Sequence, residues 1–214
     1  MSQPLICIKN LSFGYSSSLV LDKINLDIQA GEYIGIVGAN GGGKTTLIKL
    51  ILGIIKDSKK AITISKSVKF GYIPQRLSST GIDFPARVSE ILKNSFDKFD
   101  LNRYQELLTL CEIKDLEHRL LSELSGGERQ KVFIAKSLIT QPDFLVFDEP
   151  TTGIDPDYQI IFWALLKKLN QEKKVGIIII SHDSHEILAN ANRLILIDQT
   201  IKKDSSPAVF GHFH

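Results

Sequence analysis

Cysteine is scarce in this 214-residue chain. Cys7 and Cys111 lie far apart and lack the spacing of a metal-ligand pair. A disulfide framework or zinc module is therefore a poor account of the fold, and two reduced thiols of a cytosolic protein a better one. Long apolar runs are also missing. Val175–Ile180 is short, and Lys49 interrupts Leu47–Ile55, so nothing approaches the roughly 18 apolar residues of a membrane span. The N-terminus has neither the basic start nor the apolar block of a signal peptide. The net charge is only +2, with acidic and basic residues intermixed, which argues against non-specific nucleic-acid binding. No internal repeat, low-complexity segment or sustained heptad pattern is visible. The expectation is a soluble protein that meets any membrane through a partner.

What is present reads as α/β. The length is long for one domain and short for two, and 43% apolar residues suffice for a real core. Leu5–Ile8 and Ile24–Ile28 alternate as half-exposed strands. Tyr33–Val37, Phe144–Phe147, Val175–Ile180 and Leu194–Ile197 are continuous apolar runs, as in strands buried on both faces of a parallel sheet. Tyr158, Ile161, Phe162, Leu165, Leu166 and Leu169 recur at helical spacing and predict one apolar stripe. Ile82–Ile139 reads as a mostly helical lobe between the Gln75 region and the Phe144 strand. Ser16-Ser17-Ser18 reads as a short loop.

The chemistry begins after strand Tyr33–Val37. Gly38-Ala39-Asn40-Gly41-Gly42-Gly43-Lys44-Thr45 matches G-x-x-x-x-G-K-[ST], and an apolar helix follows from Thr46. Strand before and helix after are the context this loop requires. Successive backbone N–H groups can share one concavity, and the helix N-terminus adds partial positive charge. Lys44 can reach the β- and γ-phosphates, and the Thr45 hydroxyl can ligate Mg²⁺. Further on, Leu145-Val146-Phe147 delivers Asp148 and Glu149 at a strand end, where ligands of open α/β sheets sit. One carboxylate can hold Mg²⁺ and the next can polarise an attacking water.

Leu124-Ser125-Gly126-Gly127-Glu128-Arg129-Gln130 is a second glycine turn opening a helix. Ser125 to Gly127 could form another anion site. They could equally be a plain helix cap, with Glu128 closing a capping box. One nucleotide rarely needs two such surfaces in one chain, which suggests that two copies share their ATP.

In their order, these residues resemble the ATP-binding subunit of ABC transporters over nearly the whole chain. The resemblance implies a P-loop NTPase core of mostly parallel sheet flanked by helices, with an antiparallel β part at the N-terminus and an inserted helical subdomain. Residues 1–214 would form one ATPase domain: 1–81 and 141–214 the core, 82–140 the helical subdomain with the signature, Leu124 to Gln130. It further implies that Tyr15 stacks on adenine, that Gly38 to Thr46 form the Walker A loop, and that Gln75 senses Mg²⁺ beside Thr45 and Asp148. Glu149 would be the general base, with Lys44 and His182 at the γ-phosphate. Ser125, Gly126, Gly127 and the D-loop Asp155 would contact the nucleotide of the opposite subunit. A Gly127→Asp substitution is accordingly expected to spare ATP binding and block closure of the pair.

Bland alternatives stand beside several of these roles. Tyr15 could be an ordinary loop aromatic, and Gln75 a polar residue after a strand. Asp155 before Pro156 is also a good helix N-cap. His182 precedes Asp183 and Glu186, which could cap the next helix. Glu128 and Lys131 stand where the family more often has Gln and Arg.

The segment Asp83-Phe84-Pro85-Ala86-Arg87-Val88-Ser89-Glu90-Ile91 resembles importers of zinc, manganese and iron or iron chelates. By that analogy it would dock permease subunits with Gln75, placing the chain at the cytoplasmic face of the membrane and linking it indirectly to a substrate-binding protein. Arg76 and Arg87 are candidates for that contact, with a solvated role as the alternative. His212 and His214 form a His-x-His end that is assigned no metal. The rival readings are a soluble ABC-type ATPase acting on nucleic acid or ribosomes, which usually carries two cassettes or coiled-coil insertions, and a regulatory module without turnover.

Overall fold

A computed structural model describes residues 3–16, 18–75, 85–152, 155–181 and 184–210. Their strands are β1 (Ile6–Tyr15), β2 (Ser18–Ile28), β3 (Tyr33–Val37), β4 (Ile62–Ile64), β5 (Phe70–Ile73), β6 (Phe144–Asp148), β7 (Gly176–Ile180), β8 (Arg193–Asp198) and β9 (Thr200–Ser205). Their helices are α1 (Lys44–Ile51), α2 (Val88–Lys93), α3 (Leu101–Leu110), α4 (Gly126–Leu138), α5 (Pro156–Lys173), α6 (Ser184–Asn190) and α7 (Pro207–Phe210). Among the described residues no helix is long and apolar enough to cross a membrane.

The large sheet runs in the order β5-β6-β7-β3-β8-β9. Its pairs are parallel except β8 with β9. Every residue of β3, β6 and β7 is buried, which explains their unbroken apolar runs. Alternate side chains serve opposite faces. Ile177 and Ile179 join Leu145, Phe147 and residues of α4 and α5 on one side. Ile178 and Ile180 join Ile34, Ile36, Val146 and α1 on the other. That second face is closed by the antiparallel sheet β2-β1-β4, whose Ile24, Leu26 and Ile28 are buried while Asn25 and Asp27 face water.

Between β5 and β6 the described chain holds α2, α3, α4 and two 3₁₀ turns, Lys114–Leu116 and Leu121–Glu123. An isolated antiparallel bridge there pairs Arg87 with Leu120. Val88, Leu92, Tyr104, Leu107 and Val132 share a single apolar cluster with Phe147 and Leu166.

Several elements depart from the expectations. β1 and β2 are much longer than their alternating segments. Register shifts between Ile8 and Gly14, with Asn10 and Lys23 at φ 51° and 50°, are bulges that break the period of two. The serine loop is shorter than expected, since Ser18 already pairs with Tyr15. The polar strand β9 carries no apolar signal because it lies at a sheet edge, where charge is tolerated. The Arg193 guanidinium fixes it through two bonds to Asp204, at 2.7 and 2.6 Å, while donating to the Asp27 carbonyl of β2 at 2.7 Å.

In α5 the predicted stripe holds at Phe162, Leu165, Leu166 and Leu169, but Ile161 is 39% exposed and Trp163 is buried. Spacing identifies an apolar face but not its rotation against the neighbouring layer. Here the buried face is rotated toward Trp163 and away from Ile161.

Gly35 illustrates a packing demand hidden in an apolar run. A Cβ there would lie 2.1 Å from Ile187 Cγ2 and 2.8 Å from Leu194 Cδ2. Gly35→Val suits a strand by propensity, yet it should destabilise the protein by about 1–3 kcal/mol through overpacking, read as a lower urea midpoint at unchanged slope.

Candidate nucleotide site

The loop after β3 is shaped by backbone demands. Gly38, Gly41 and Gly43 have φ of 145°, 79° and 98°, conformations that glycine adopts without a Cβ penalty. A Cβ on Gly38 would also lie 2.0 Å from the Ile197 carbonyl oxygen of β8. The Gly42 N–H donates to the Ala39 carbonyl at 3.1 Å, closing the turn. Lys44 opens α1 and is buried, its ammonium donating to the Gly38 and Ala39 carbonyls at 2.8 Å each.

Thr45 Oγ1 donates to Asp148 Oδ1 at 3.1 Å, joining residues 103 positions apart. Asp148 is buried at the end of β6. Glu149 follows at φ 49°, a conformation that costs a non-glycine residue roughly 1–3 kcal/mol and clusters at functional sites. The Glu149 N–H donates to the Ile180 carbonyl at 2.9 Å, and Gln75 Nε2 donates to Glu149 Oε2. Two strand ends, the phosphate loop and the segment after β5 thus meet at one point.

A cleft of ≈ 310 Å³ opens there. Tyr15, Asn40, Gly41, Gly43, Lys44, Thr45, Thr46 and Glu149 line it, together with Val20, which the sequence reading did not single out. Tyr15 is half exposed at its rim, and its ring is set edge-on against Phe13 at 5.2 Å. Burial lowers the pKa of Lys44, opposed by the charges of Glu149 and Asp148. Burial and the charge of Glu149 raise that of Asp148, opposed by the Thr45 hydrogen bond and by Lys49 and Lys44. Two oxygen donors converging beside a second carboxylate, with Asp148 held away from water, fit a hard divalent cation such as Mg²⁺.

Ser125, Gly126, Gly127 and Asp155 do not line this cleft. Both serine and aspartate are helix caps. The Ser125 hydroxyl accepts from the Glu128 N–H at 3.2 Å, and Glu128 Oε2 accepts from the Ser125 N–H at 2.7 Å. Asp155 Oδ1 accepts from the Asp157 N–H at 2.9 Å, with Pro156 opening α5. The capping alternatives are therefore realised. Ser125 and Gly126 are nonetheless exposed, so their outward side is open to a partner. His182 and Asp183 lie outside the described residues, as do Arg76, Gly153, Ile154, His212 and His214. Arg87 donates from its guanidinium to the His118 carbonyl.

Residues 21–152 match the ABC transporter family. The chain belongs to the ABC transporter family. It is 35% identical over 211 residues to the high-affinity zinc uptake system ATP-binding protein ZnuC of Bacillus subtilis, covering 91% of each chain. It is 31% identical to the zinc uptake system ATP-binding protein ZurA of Listeria innocua, covering 98% of this chain and 88% of that one. Among solved structures it resembles cbiO1 of Clostridium perfringens, part of the ABC transporter complex cbiONQ. The TM-score is 0.86 at 26% identity, with 99% and 92% of the two chains covered. The chain is an ATP-binding, ATP-hydrolysing ABC subunit, and this fold uses ATP with Mg²⁺.

In this ABC subunit Glu128 has a definite job. It accepts from Ser125 and, at 3.3 Å, from Arg119. Those contacts hold its pKa below the ordinary 4.5, with the Ser125 backbone bond the largest cause. A carboxylate depressed in the folded state contributes stability that is full above its unfolded pKa and lost as pH falls through its folded one. Wild type should therefore exceed Glu128→Gln in urea midpoint at neutral pH, and the gap should close as pH drops through and below 4.5. A gap independent of pH would show that charge at this cap does not matter.

Proposed function

We propose that the chain powers metal-ion uptake of the zinc type, as one of two ATPase subunits beneath a membrane permease. The observation that carries the ATPase half is the Thr45–Asp148 hydrogen bond beside Glu149 at the mouth of the phosphate loop. The substrate half rests on the zinc uptake relatives, whose similarity spans nearly the whole chain. Residues 1–81 and 141–214 act as the nucleotide-binding core and 82–140 as the helical subdomain. The permease holds the chain at the cytoplasmic membrane face and links it to a substrate-binding protein.

The roles follow from the groups available. Backbone N–H groups of Gly38 to Thr46 cradle the phosphates, with the N-terminus of α1 adding positive charge. Lys44 exchanges its two loop carbonyls for phosphate oxygens. Thr45, Asp148 and Gln75 hold Mg²⁺, which when bound supplies neutralisation of phosphate charge. Glu149 takes the proton of the attacking water. For this Gln75 must release Glu149, since the two are hydrogen-bonded to each other. Tyr15 stacks on adenine, its exposed face supplying an apolar platform, and His182 contacts the γ-phosphate. The cleft, at ≈ 310 Å³, is at the small end of the roughly 300–1,000 Å³ of ligand sites. Ser125, Gly126, Gly127 and Asp155 of a second copy complete it.

Replacing Glu149 by Gln keeps the shape and removes the base. Turnover should drop by about 10²–10⁴-fold, while ATP still binds and now accumulates dimers detectable by size-exclusion chromatography. Wild-type turnover in this variant would sink the assignment of Glu149. For the substrate, reconstitution with the permease should give ATP-dependent uptake of ⁶⁵Zn²⁺; ATPase activity without metal uptake would overturn the zinc-type reading.

A further inference from the structure

The two glycines of the signature turn are not equivalent. Gly126 is exposed, and a Cβ added to it would meet nothing within 4 Å. Gly127 is buried, and a Cβ there would lie 1.9 Å from Tyr158 Cδ1, 2.3 Å from Cε1 and 2.4 Å from Cγ. Neither glycine has positive φ, so backbone freedom does not explain the pair. Gly127 is a close-approach glycine, and what approaches it is an aromatic ring of the same chain.

Tyr158 lies in the first turn of α5, just past the Asp155 cap and Pro156. Its ring is held on the α4 side by two residues one turn apart, Gly127 beneath it and Lys131, whose Nζ is 5.6 Å from the ring centroid. Residues at that spacing share a helix face. Lys131 is itself steadied by Glu112 at 3.2 Å. A second tie runs parallel: buried Gln130 donates from Nε2 to the Pro150 carbonyl at 2.8 Å. The opening turn of α4 is thus fastened to the chain following Asp148 at two places.

We propose that Tyr158 is a positioning residue for ATP hydrolysis, its ring locking the Ser125–Gly127 turn to the Asp155 cap so that both reach the partner's nucleotide as one rigid unit. The inference rests on the reading that these residues act across a dimer. It adds that the second glycine is required by packing within the chain. Gly127→Asp then does not isolate the trans contact, contrary to the expectation from sequence, because its side chain collides first with Tyr158.

The test uses the full chain, with kcat and KM for ATP hydrolysis and binding of a fluorescent ATP analogue to each variant. Tyr158→Phe keeps the ring and should retain wild-type kcat. Tyr158→Ala should lower kcat about 10- to 100-fold, as misplacement remote from the chemistry does, with analogue binding unchanged. Gly127→Ala should lose kcat as well, and Gly127→Ala/Tyr158→Ala should be no worse than the poorer single variant, since both break one contact. If Tyr158→Ala fails to bind the analogue, Tyr158→Leu decides instead, with the same expected loss of kcat. Wild-type kcat in whichever of these two variants is scored, or losses that multiply in the double variant, would overturn the proposal. Failure of Glu149→Gln to lose turnover would instead overturn the underlying ATPase assignment, so the two failures are distinguishable.

Discussion

Parallel pairing of β7 with β3 on one side and β6 on the other is the constraint on which the rest of the molecule depends. Ile180, the last residue of β7, pairs with Ile36 and also with Asp148. The carboxyl ends of three strands are therefore level, and both loops that follow must leave the sheet at one edge. Burial of every residue in these strands makes a slip costly, because shifting by one residue would exchange the two apolar faces. Given that register, the phosphate loop leads straight into α1, whose second residue, Thr45, is within hydrogen-bond reach of Asp148.

The same edge concentrates charge where water is scarce. Lys44 and Asp148 are buried groups whose charged forms are disfavoured by desolvation; Glu149 and Asp148 support the charge of Lys44, while for Asp148 the Thr45 hydrogen bond and the two lysines, Lys49 and Lys44, work against Glu149. Such a site gains from a ligand carrying both negative oxygens and a divalent cation. The glycines serve this electrostatics by letting backbone come close: at Gly38 the neighbouring strand's carbonyl occupies the space of a side chain. At the signature turn the same device has a different use. There glycine admits an aromatic ring of its own chain, while Ser125 and Gly126 on the outward face stay exposed.

The phosphate loop and the acidic pair were legible because each lies on contiguous residues after a strongly apolar strand. The caps at Ser125 and Asp155 were legible for the same reason, since capping is local. β1 and β2 were underestimated because bulges scramble alternation over the stretch where they occur. β9 went unread because an edge strand can be polar and needs only a partner's backbone, in this case that of β8. The burial of Trp163 and the contacts of Gln130 with Pro150 and of Tyr158 with Gly127 were not legible, because each depends on a residue in another element.

By itself the sequence determined the order of motifs and the buried strands of a parallel sheet, since periodicity, glycine placement and local capping are written in neighbouring residues, and the ordered motifs carried the resemblance to an ATPase family. Only the tertiary structure decided which distant groups meet: Thr45 with Asp148, Gln75 with Glu149, and Tyr158 with Gly127. Those contacts follow from strand register and from the rotation of helices against the sheet, which are properties of the packed whole that no local pattern encodes.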